Sequence, residues 1–297
     1  MVEPSFRAEF ERTARLLPRR VVRNRTLPVL RMLGTLLRLR PAGDAEIRRL
    51  PSGATVRIFR PARTSGPAPG LLWMHGGGYL FGTAAQDDTA CRRFRDQLGA
   101  TVLSVDYQLA PEHPYPAALD DCHAALDLLR SLPGVDPGRV AIGGASAGGG
   151  LAAQLALRVR DRGEPRPVLQ LLVYPMLDDR SPAASVDERR FRLWDGASNR
   201  LGWASYLGTA DPLEAVPARR ADLGGVADAW IGVGTDDLFH PENVAYADRL
   251  RAAGVACDLL AVPAGYHGFS LVFPRLGVSR WFVGRQVAAL GAAFAPR

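Results

Sequence analysis

Short apolar segments alternate with longer amphipathic segments along most of the chain. The apolar segments are mostly rich in leucine or β-branched residues, which favours buried strands, whereas the segments between them have helical spacing. The predicted strands span residues 55–59, 71–75, 101–106, 139–143, 168–174, 229–234 and 258–262, and the predicted helices span residues 87–98, 116–131, 148–162, 242–253 and 279–294. This order predicts an α/β fold with a mostly parallel sheet covered by helices on both faces.

Two regions lie outside this alternation. Residues 5–17 and 26–39 are predicted helices, the second because leucines recur at helical spacing among arginines. Residues 178–222 are polar, contain scattered aromatic side chains and fall between two predicted strands, which indicates a lid. In open α/β sheets, ligands bind where strands end and loops begin, so the informative residues should follow the strands.

One buried strand leads into the sequence Gly-Ala-Ser-Ala-Gly at residues 144–148, and a strong helix former follows it. This strand–turn–helix order is typical of a nucleophile elbow. The turn is tight and strained, so the residues two before and two after the serine must be small, as Gly144 and Gly148 are. The turn also puts Ser146 at a helix N-terminus, where N–H groups favour developing negative charge. Ser146 is therefore the predicted nucleophile.

Another predicted strand ends in His-Gly-Gly-Gly at residues 75–78. Three consecutive glycines do not favour a strand, but they allow backbone N–H groups to turn toward a ligand. Acyl transfer creates an oxyanion, which fixed N–H donors stabilise. We predict that Gly77 and Gly78 supply two donors of an oxyanion hole and that the Ala147 N–H supplies the third.

A serine nucleophile needs a base, because its proton must leave as it attacks. Five histidines are present. His75 belongs to the glycine loop, His113 to a rigid turn and His123 to a predicted helix. His240 lies too near the two aspartates that are candidates for the acid of the site. His267 follows a predicted strand in a glycine-containing loop, and its position and chain order make it the predicted base.

The third member of such a site should follow a strand between the serine and the histidine. Two adjacent candidates, Asp236 and Asp237, follow the predicted strand 229–234. One would accept a hydrogen bond from the imidazole and hold its tautomer, and the other would cap a helix or face water. The residues themselves leave both choices open.

Taken together, these motifs resemble the hormone-sensitive-lipase-like family of α/β-hydrolase carboxylesterases. The resemblance extends from about residue 54 to 295 and rests on residues 75–78, 106–112, 144–149 and 266–269. The family spacing between the acid and a following glutamate, matched here by Asp237 and Glu242, selects Asp237 over Asp236.

The resemblance implies hydrolysis of short- to medium-chain acyl esters without a metal or cofactor. It also implies cap helices in residues 1–45 and a catalytic domain in residues 46–297 with a cap insertion at about 180–220. A homodimer is compatible with it. Gln108, Ala145 and Pro241 replace the usual Arg, Asp and Asp of the family, which removes no catalytic group but could alter hydrogen bonds around the site.

Large aromatic residues near these motifs are candidates for an apolar substrate pocket, with packing inside the lid as the equal alternative. They are Tyr79, Trp194, Trp203 and Tyr206.

Charge and cysteine content narrow the function classes. The 297 residues carry a net charge of +7, with twelve arginines and five acidic residues in residues 1–50 and an even balance elsewhere. We interpret the basic segment as the solvated face of amphipathic lid helices; steering of acidic partners or contact with a membrane surface is the alternative. No nucleic-acid motif accompanies the charge, so a nucleic-acid partner is not expected.

No apolar run is long enough to span a membrane, so stable membrane insertion is not expected. The first residues lack the features of a signal peptide, and the three cysteines are far apart. We therefore expect reduced, buried thiols and a cytoplasmic protein.

Three functions other than ester hydrolysis are compatible with this sequence. An amidase or deacylase, or a lactonase, would employ the same serine, histidine and aspartate. A non-catalytic small-molecule-binding protein on this fold would be expected to have lost the histidine, which is retained here as His267.

Overall fold

The computed structural model describes residues 5–62, 66–181 and 187–295. Within them, eight strands form one sheet in the order β1-β2-β4-β3-β5-β6-β7-β8. The strands are β1 (Glu46–Arg49), β2 (Thr55–Phe59), β3 (Ala68–Met74), β4 (Thr101–Asp106), β5 (Val135–Ala145), β6 (Gln170–Val173), β7 (Ala229–Gly234) and β8 (Cys257–Val262). The pairs β1/β2 and β2/β4 are antiparallel, and the other neighbours are parallel. The predicted α/β fold with a mostly parallel sheet is confirmed.

Helices follow most of the strands, as the sequence pattern predicts. They are α1 (Ser5–Ala14), α2 (Leu27–Arg38), α3 (Asp88–Leu98), α4 (Ala117–Ser131), α5 (Ala147–Asp161), α6 (Gly196–Leu207), α7 (Pro212–Ala215), α8 (His240–Ala252), α9 (Phe269–Val272) and α10 (Gly277–Phe294). Strand β1 was not predicted, because its sequence Glu-Ile-Arg-Arg is mostly exposed at the sheet edge and shows no apolar run.

Side chains of the central strand β3 alternate between two apolar cores, one on each face of the sheet. Leu71 and Trp73 pack with Phe94 and Phe282 of α3 and α10. Leu72 and Met74 belong to the opposite core, together with side chains of α4 and α5. Because both faces are covered, every residue of β3 is buried, and its end is fixed where the glycine loop begins.

The two predicted cap segments contain helices and contact each other. Residues 1–45 include α1 and α2, and residues 180–220 include α6 and α7; positions 1–4 and 182–186 lie outside the described residues. The N–H of Val21 donates to the carbonyl of Leu193 (3.2 Å), and the N–H of Leu193 donates to the carbonyl of Pro18 (3.0 Å). The domain boundaries themselves stay a prediction.

The cysteines and the lengths of the helices bear on two further expectations from the sequence. Cys91 and Cys122 are buried and unpaired, whereas Cys257 is unpaired but only half-buried. Among the described helices, none combines the length and apolar character needed to cross a membrane.

One buried carboxyl group stands out at the start of α3. The exposed fraction of Asp87 is 5%, and its Oδ2 accepts a hydrogen bond from Trp73 Nε1 (2.9 Å). Burial raises the pKa of Asp87 to about 7; the Trp73 hydrogen bond opposes the rise, and the neighbouring Asp88 carboxylate adds to it. Asp87 therefore stays protonated in the folded chain over a range in which an unfolded chain would ionise it.

This difference predicts a pH dependence of stability. Between about pH 4 and about pH 7 the folded chain holds a proton that the unfolded chain lacks, so Asp87 should lower the free energy of unfolding as the pH rises. The variant Asp87→Asn keeps an acceptor for Trp73 without the charge. We expect its free energy of unfolding to equal that of the wild type near pH 4 and to exceed it by about 4 kcal/mol near pH 8, since each unit of the pKa difference contributes about 1.4 kcal/mol. Urea denaturation across this range tests the prediction, and parallel curves for the two proteins would contradict it.

Candidate active site

Ser146 occupies a sharp turn between β5 and α5. Its backbone has φ 57° and ψ −119°, a conformation that a non-glycine residue adopts only under strain. The flanking glycines are required by space: a Cβ at Gly144 would lie 2.5 Å from the carbonyl carbon of Gly148, and one at Gly148 would lie 2.1 Å from the carbonyl oxygen of Met74. The small residues predicted around the serine thus allow the turn to press against the end of β3.

A chain of hydrogen bonds leads from this serine into the protein. Ser146 Oγ and His267 Nε2 are 2.9 Å apart, and His267 Nδ1 and Asp237 Oδ2 are 2.8 Å apart. The second oxygen of Asp237, Oδ1, accepts the N–H of Phe239 (3.0 Å). With Nδ1 donating to the carboxylate, Nε2 is left as the acceptor that faces the serine hydroxyl.

The two adjacent aspartates have different surroundings. Asp237 is fully buried and hydrogen-bonded to His267, whereas Asp236 is half-buried and lies 3.9 Å from the guanidinium of Arg190. The N–H of Asp236 donates to the carbonyl of Gly265 (2.9 Å), so its backbone joins the acid loop to the histidine loop. The geometry thus brings Asp237, and not Asp236, to the imidazole.

Two aromatic rings hold the imidazole of His267 in place. Tyr174 and Phe239 meet it edge to face, with ring centroids 5.1 and 5.0 Å away. The Tyr174 hydroxyl lies 3.1 Å from Ser270 Oγ, which ties the end of β6 to the histidine loop. These contacts restrict rotation of the ring without taking up either nitrogen.

The glycine loop lies directly beside the serine. A Cβ at Gly76 would be 3.3 Å from Ser146 Cβ, and Gly77 and Gly78 have φ values of 133° and 60°, which favour glycine. Within the described part of the chain, the N–H groups of Gly77, Gly78 and Ala147 donate to no protein acceptor. All three predicted oxyanion-hole donors are therefore available to a ligand.

His75 stabilises the glycine loop through its ring and its backbone carbonyl. Its ring stacks on Tyr107 (centroids 4.2 Å apart), and its Nδ1 lies 2.8 Å from the carbonyl oxygen of Gly76. The Tyr107 hydroxyl donates to the carbonyl of His75 (2.8 Å). Burial lowers the pKa of His75, so the ring is neutral and donates from Nδ1 to Gly76.

Another histidine, His123, lies on a helix as the sequence predicts. It is buried on α4, with Nε2 2.8 Å from Glu164 and Nδ1 3.1 Å from Arg162. Both of its nitrogens are thus engaged away from the serine.

A cavity of about 210 Å³ opens above Ser146 and His267. Its wall is largely apolar and includes Trp194, whose ring lies so close to Gly78 that a Cβ there would be 2.0 Å from Trp194 Cη2. Further wall residues that sequence reasoning missed are Val21, Val22, Phe81, Tyr174, Leu193, Leu271 and Val272. The sequence indicated these residues only through two apolar pairs: Val21 and Val22 within a basic stretch, and Leu271 and Val272 after His267.

The other predicted pocket residues lie outside this cavity. Tyr79 stacks on Tyr206 with centroids 3.9 Å apart, and Trp203 packs against both rings. The hydroxyl of Tyr206 donates to Gln154 (2.7 Å), so this cluster anchors α6 on α5. Its large rings pack between these helices, which is the packing alternative that the sequence left open.

Glu242 was noted only as a spacing marker, yet it is buried beside the site at the start of α8. Its Oε1 accepts the N–H groups of Leu177 (2.7 Å) and Asp178 (3.2 Å). The same segment carries Met176, whose N–H donates to the carbonyl of Ser146 (3.0 Å). Burial raises the pKa of Glu242 well above its ordinary value. The glutamate therefore links the helix after Asp237 to the loop that supports Ser146.

Removing this acceptor should disturb the serine turn. We expect Glu242→Ala to lower the free energy of unfolding by about 3 kcal/mol, because the buried N–H of Leu177 and the partly buried N–H of Asp178 lose their partner. Glu242→Gln keeps the oxygen and should cost less than about 1 kcal/mol. Urea denaturation and steady-state kinetics of both variants test this, with kcat expected to fall more than KM rises in Glu242→Ala. Equal stability of the two variants would rule out the bridging role.

The sheet order, with the serine turn after the central strand β5, defines the class of fold as that of an α/β hydrolase. The sequence profile described as the alpha/beta hydrolase fold matches residues 71–271. Carboxylesterase NlhH of Mycobacterium tuberculosis is 36% identical over 252 residues, which cover 80% of this chain and 78% of that protein.

Solved structures agree with this assignment. Esterase LipW from Mycobacterium marinum has a TM-score of 0.85 at 36% identity, covering 93% of both chains. A bacterial heroin esterase has a TM-score of 0.86 at 34% identity, covering 97% of this chain and 98% of the other. The chain belongs to the α/β-hydrolase family, as a carboxylic-ester hydrolase of the hormone-sensitive-lipase-like type. The resemblance drawn from the four motifs is confirmed.

Proposed function

We propose that this protein is a serine carboxylesterase that cleaves short- to medium-chain acyl esters through an acyl-enzyme intermediate. Ser146 is the nucleophile, His267 the general base and acid, and Asp237 the residue that orients the imidazole. The observation that carries the proposal is the unbroken hydrogen-bond chain Ser146–His267–Asp237 at the floor of an apolar cavity.

The first half of the reaction forms the acyl-enzyme. His267 Nε2 removes the Ser146 proton as Oγ attacks the ester carbonyl, and the buried Asp237 carboxylate stabilises the resulting imidazolium. The oxyanion accepts hydrogen bonds from the N–H groups of Gly77, Gly78 and Ala147. The imidazolium then gives its proton to the departing alcohol.

The second half releases the acid. Water enters in place of the alcohol, His267 takes its proton, and the hydroxide attacks the acyl carbonyl. Collapse of this second intermediate returns the proton to Ser146 and frees the carboxylic acid. Every proton transfer uses the imidazole of His267, so the proposed mechanism needs no metal or cofactor. We therefore expect chelators to leave the turnover rate unchanged.

The cavity favours small acyl groups. Its volume of about 210 Å³ is smaller than the roughly 300–1,000 Å³ of pockets that hold drug-sized ligands. Trp194 closes one side against Gly78, which limits the length of chain that fits. This supports short-chain esters of apolar acids as substrates.

A homodimer stays a prediction.

The primary test is hydrolysis of p-nitrophenyl esters from acetate to palmitate. We expect the highest kcat/KM on short chains and a loss of at least about 10³-fold in kcat for Ser146→Ala. Ser131→Ala is the matched control, because Ser131 ends α4 before the N-terminal end of β5, whereas Ser146 follows the C-terminal end of that strand. No turnover by folded wild-type protein at any chain length would contradict the proposal, and a p-nitroanilide series would then test an amidase.

A second prediction concerns acyl length. Trp194→Ala removes part of the cavity wall, so we expect the preferred acyl chain to lengthen, with kcat/KM on p-nitrophenyl decanoate rising relative to acetate by about tenfold. Trp203→Phe changes a buried tryptophan outside the cavity and should leave the chain-length profile unchanged. If both variants keep the wild-type profile, the described cavity is not the acyl pocket.

A further inference from the structure

Helix α2 exposes one apolar side, although its Leu27 and Leu30 pack against the apolar core. Five large apolar side chains, which we call the outer face of α2, have exposed fractions between 49% and 75%. They are Val29, Met32, Leu33, Leu36 and Leu39. Their spacing of three and four residues places them on one side of the helix. A contiguous exposed apolar stripe of this kind is typical of an interaction surface.

The opposite side of the helix is fastened to the catalytic domain by polar contacts. Arg31 donates to the carbonyls of Leu80 (2.8 Å) and Ala110 (2.5 Å) and pairs with Glu112. Arg38 lies 2.8 Å from Asp106. These bonds fix the rotation of α2 about its axis, so turning the exposed leucines inward would break both ion pairs. The interpretation of the basic segment as a solvated face did not include these pairs of Arg31 and Arg38 with carboxylates of the catalytic domain.

Unneutralised positive charge lies on both sides of α2 along the chain. Six exposed arginines have no carboxylate within 4 Å among the residues that the structure describes. They are Arg12, Arg15, Arg19, Arg23, Arg25 and Arg40. Two of them immediately precede α2 and one follows it. Leu16, with an exposed fraction of 72%, lies within the same basic stretch.

We propose that the outer face of α2 docks on the surface of an anionic lipid bilayer. An amphipathic helix that lies in the interface buries its apolar side in the acyl region and uses arginines for the lipid phosphates, and both elements are present here. The occupant is not a second copy of the chain, because a twofold contact through α2 would bring two segments of net charge +7 against each other.

The cavity wall includes a residue of the same N-terminal segment. Val21 lines the cavity and lies two residues before Arg23. Esters dissolved in the bilayer would then be substrates that the docked chain can meet. This consequence rests on the proposed esterase function, whereas the docking itself does not.

Vesicle co-sedimentation tests the docking without any hydrolysis. The full chain is mixed with vesicles of phosphatidylcholine alone or of an equimolar mixture with phosphatidylglycerol. We expect the wild type to bind the anionic vesicles at least about tenfold more tightly than the neutral ones, and the double variant Leu33→Glu/Leu36→Glu to lose about tenfold or more of that affinity. The matched control is Leu213→Glu, which changes a leucine of 59% exposure on α7 and should bind like the wild type.

Folding and charge are checked separately. Circular dichroism and p-nitrophenyl butyrate turnover in vesicle-free buffer should be unchanged in the double variant. If that variant does not fold, Arg23→Gln/Arg25→Gln/Arg40→Gln changes only exposed side chains and should weaken anionic binding by about tenfold. Absence of wild-type binding to anionic vesicles overturns the proposal, as does unchanged binding by the folded variants. Conversion of a wild-type dimer to a monomer by the double variant, seen by analytical ultracentrifugation without vesicle binding, would show that the face binds a second copy.

Discussion

The close contact between the serine turn and the end of β3 is the constraint on which the site depends. With a Cβ at Gly148, the turn would collide with the carbonyls of Met74 and His75, so the glycine lets two backbone segments touch. This contact sets the glycine loop beside Ser146 and aligns the start of α5 with it. The strain at Ser146 is tolerated because buried packing on both faces of the sheet holds β3 and β5 in register.

The sequence could predict those parts of the structure that local physics dictates. A glycine two residues on either side of a serine, between an apolar strand and a helix former, has few alternative uses. The buried strands were visible for the same reason, because a strand covered on both faces must be apolar throughout. The order serine, aspartate, histidine followed from the alternation of strands and helices, although choosing between Asp236 and Asp237 required a family pattern.

Other features depend on contacts between distant segments and left little trace in the sequence. Tyr79, Trp203 and Tyr206 are aromatic residues of the kind that line substrate pockets, but their rings pack on one another beside α5 and α6. In the sequence, Glu242 looks like an ordinary acidic residue in the first turn of a helix. Its role depends on the loop after β6, which brings two N–H groups to it in the folded chain. The leucine spacing predicted the helix α2, whereas its rotation depends on Arg31 and Arg38, whose partners lie far away in the chain.

Burial of α5 has a consequence for the dynamics of the site. Almost every residue from Ala147 to Val159 is buried, including the first turn that follows the nucleophile. Amide protons in such a helix cannot reach solvent by small local openings, so their hydrogen exchange should report the free energy of global unfolding. The serine turn is thus joined to a helix whose amides we expect to exchange slowly, while the cavity wall above it comes from short helices and loops. Thermal motion is consequently distributed unevenly around the ester: the attacking side is rigid, and the side that admits the acyl chain is free to adjust.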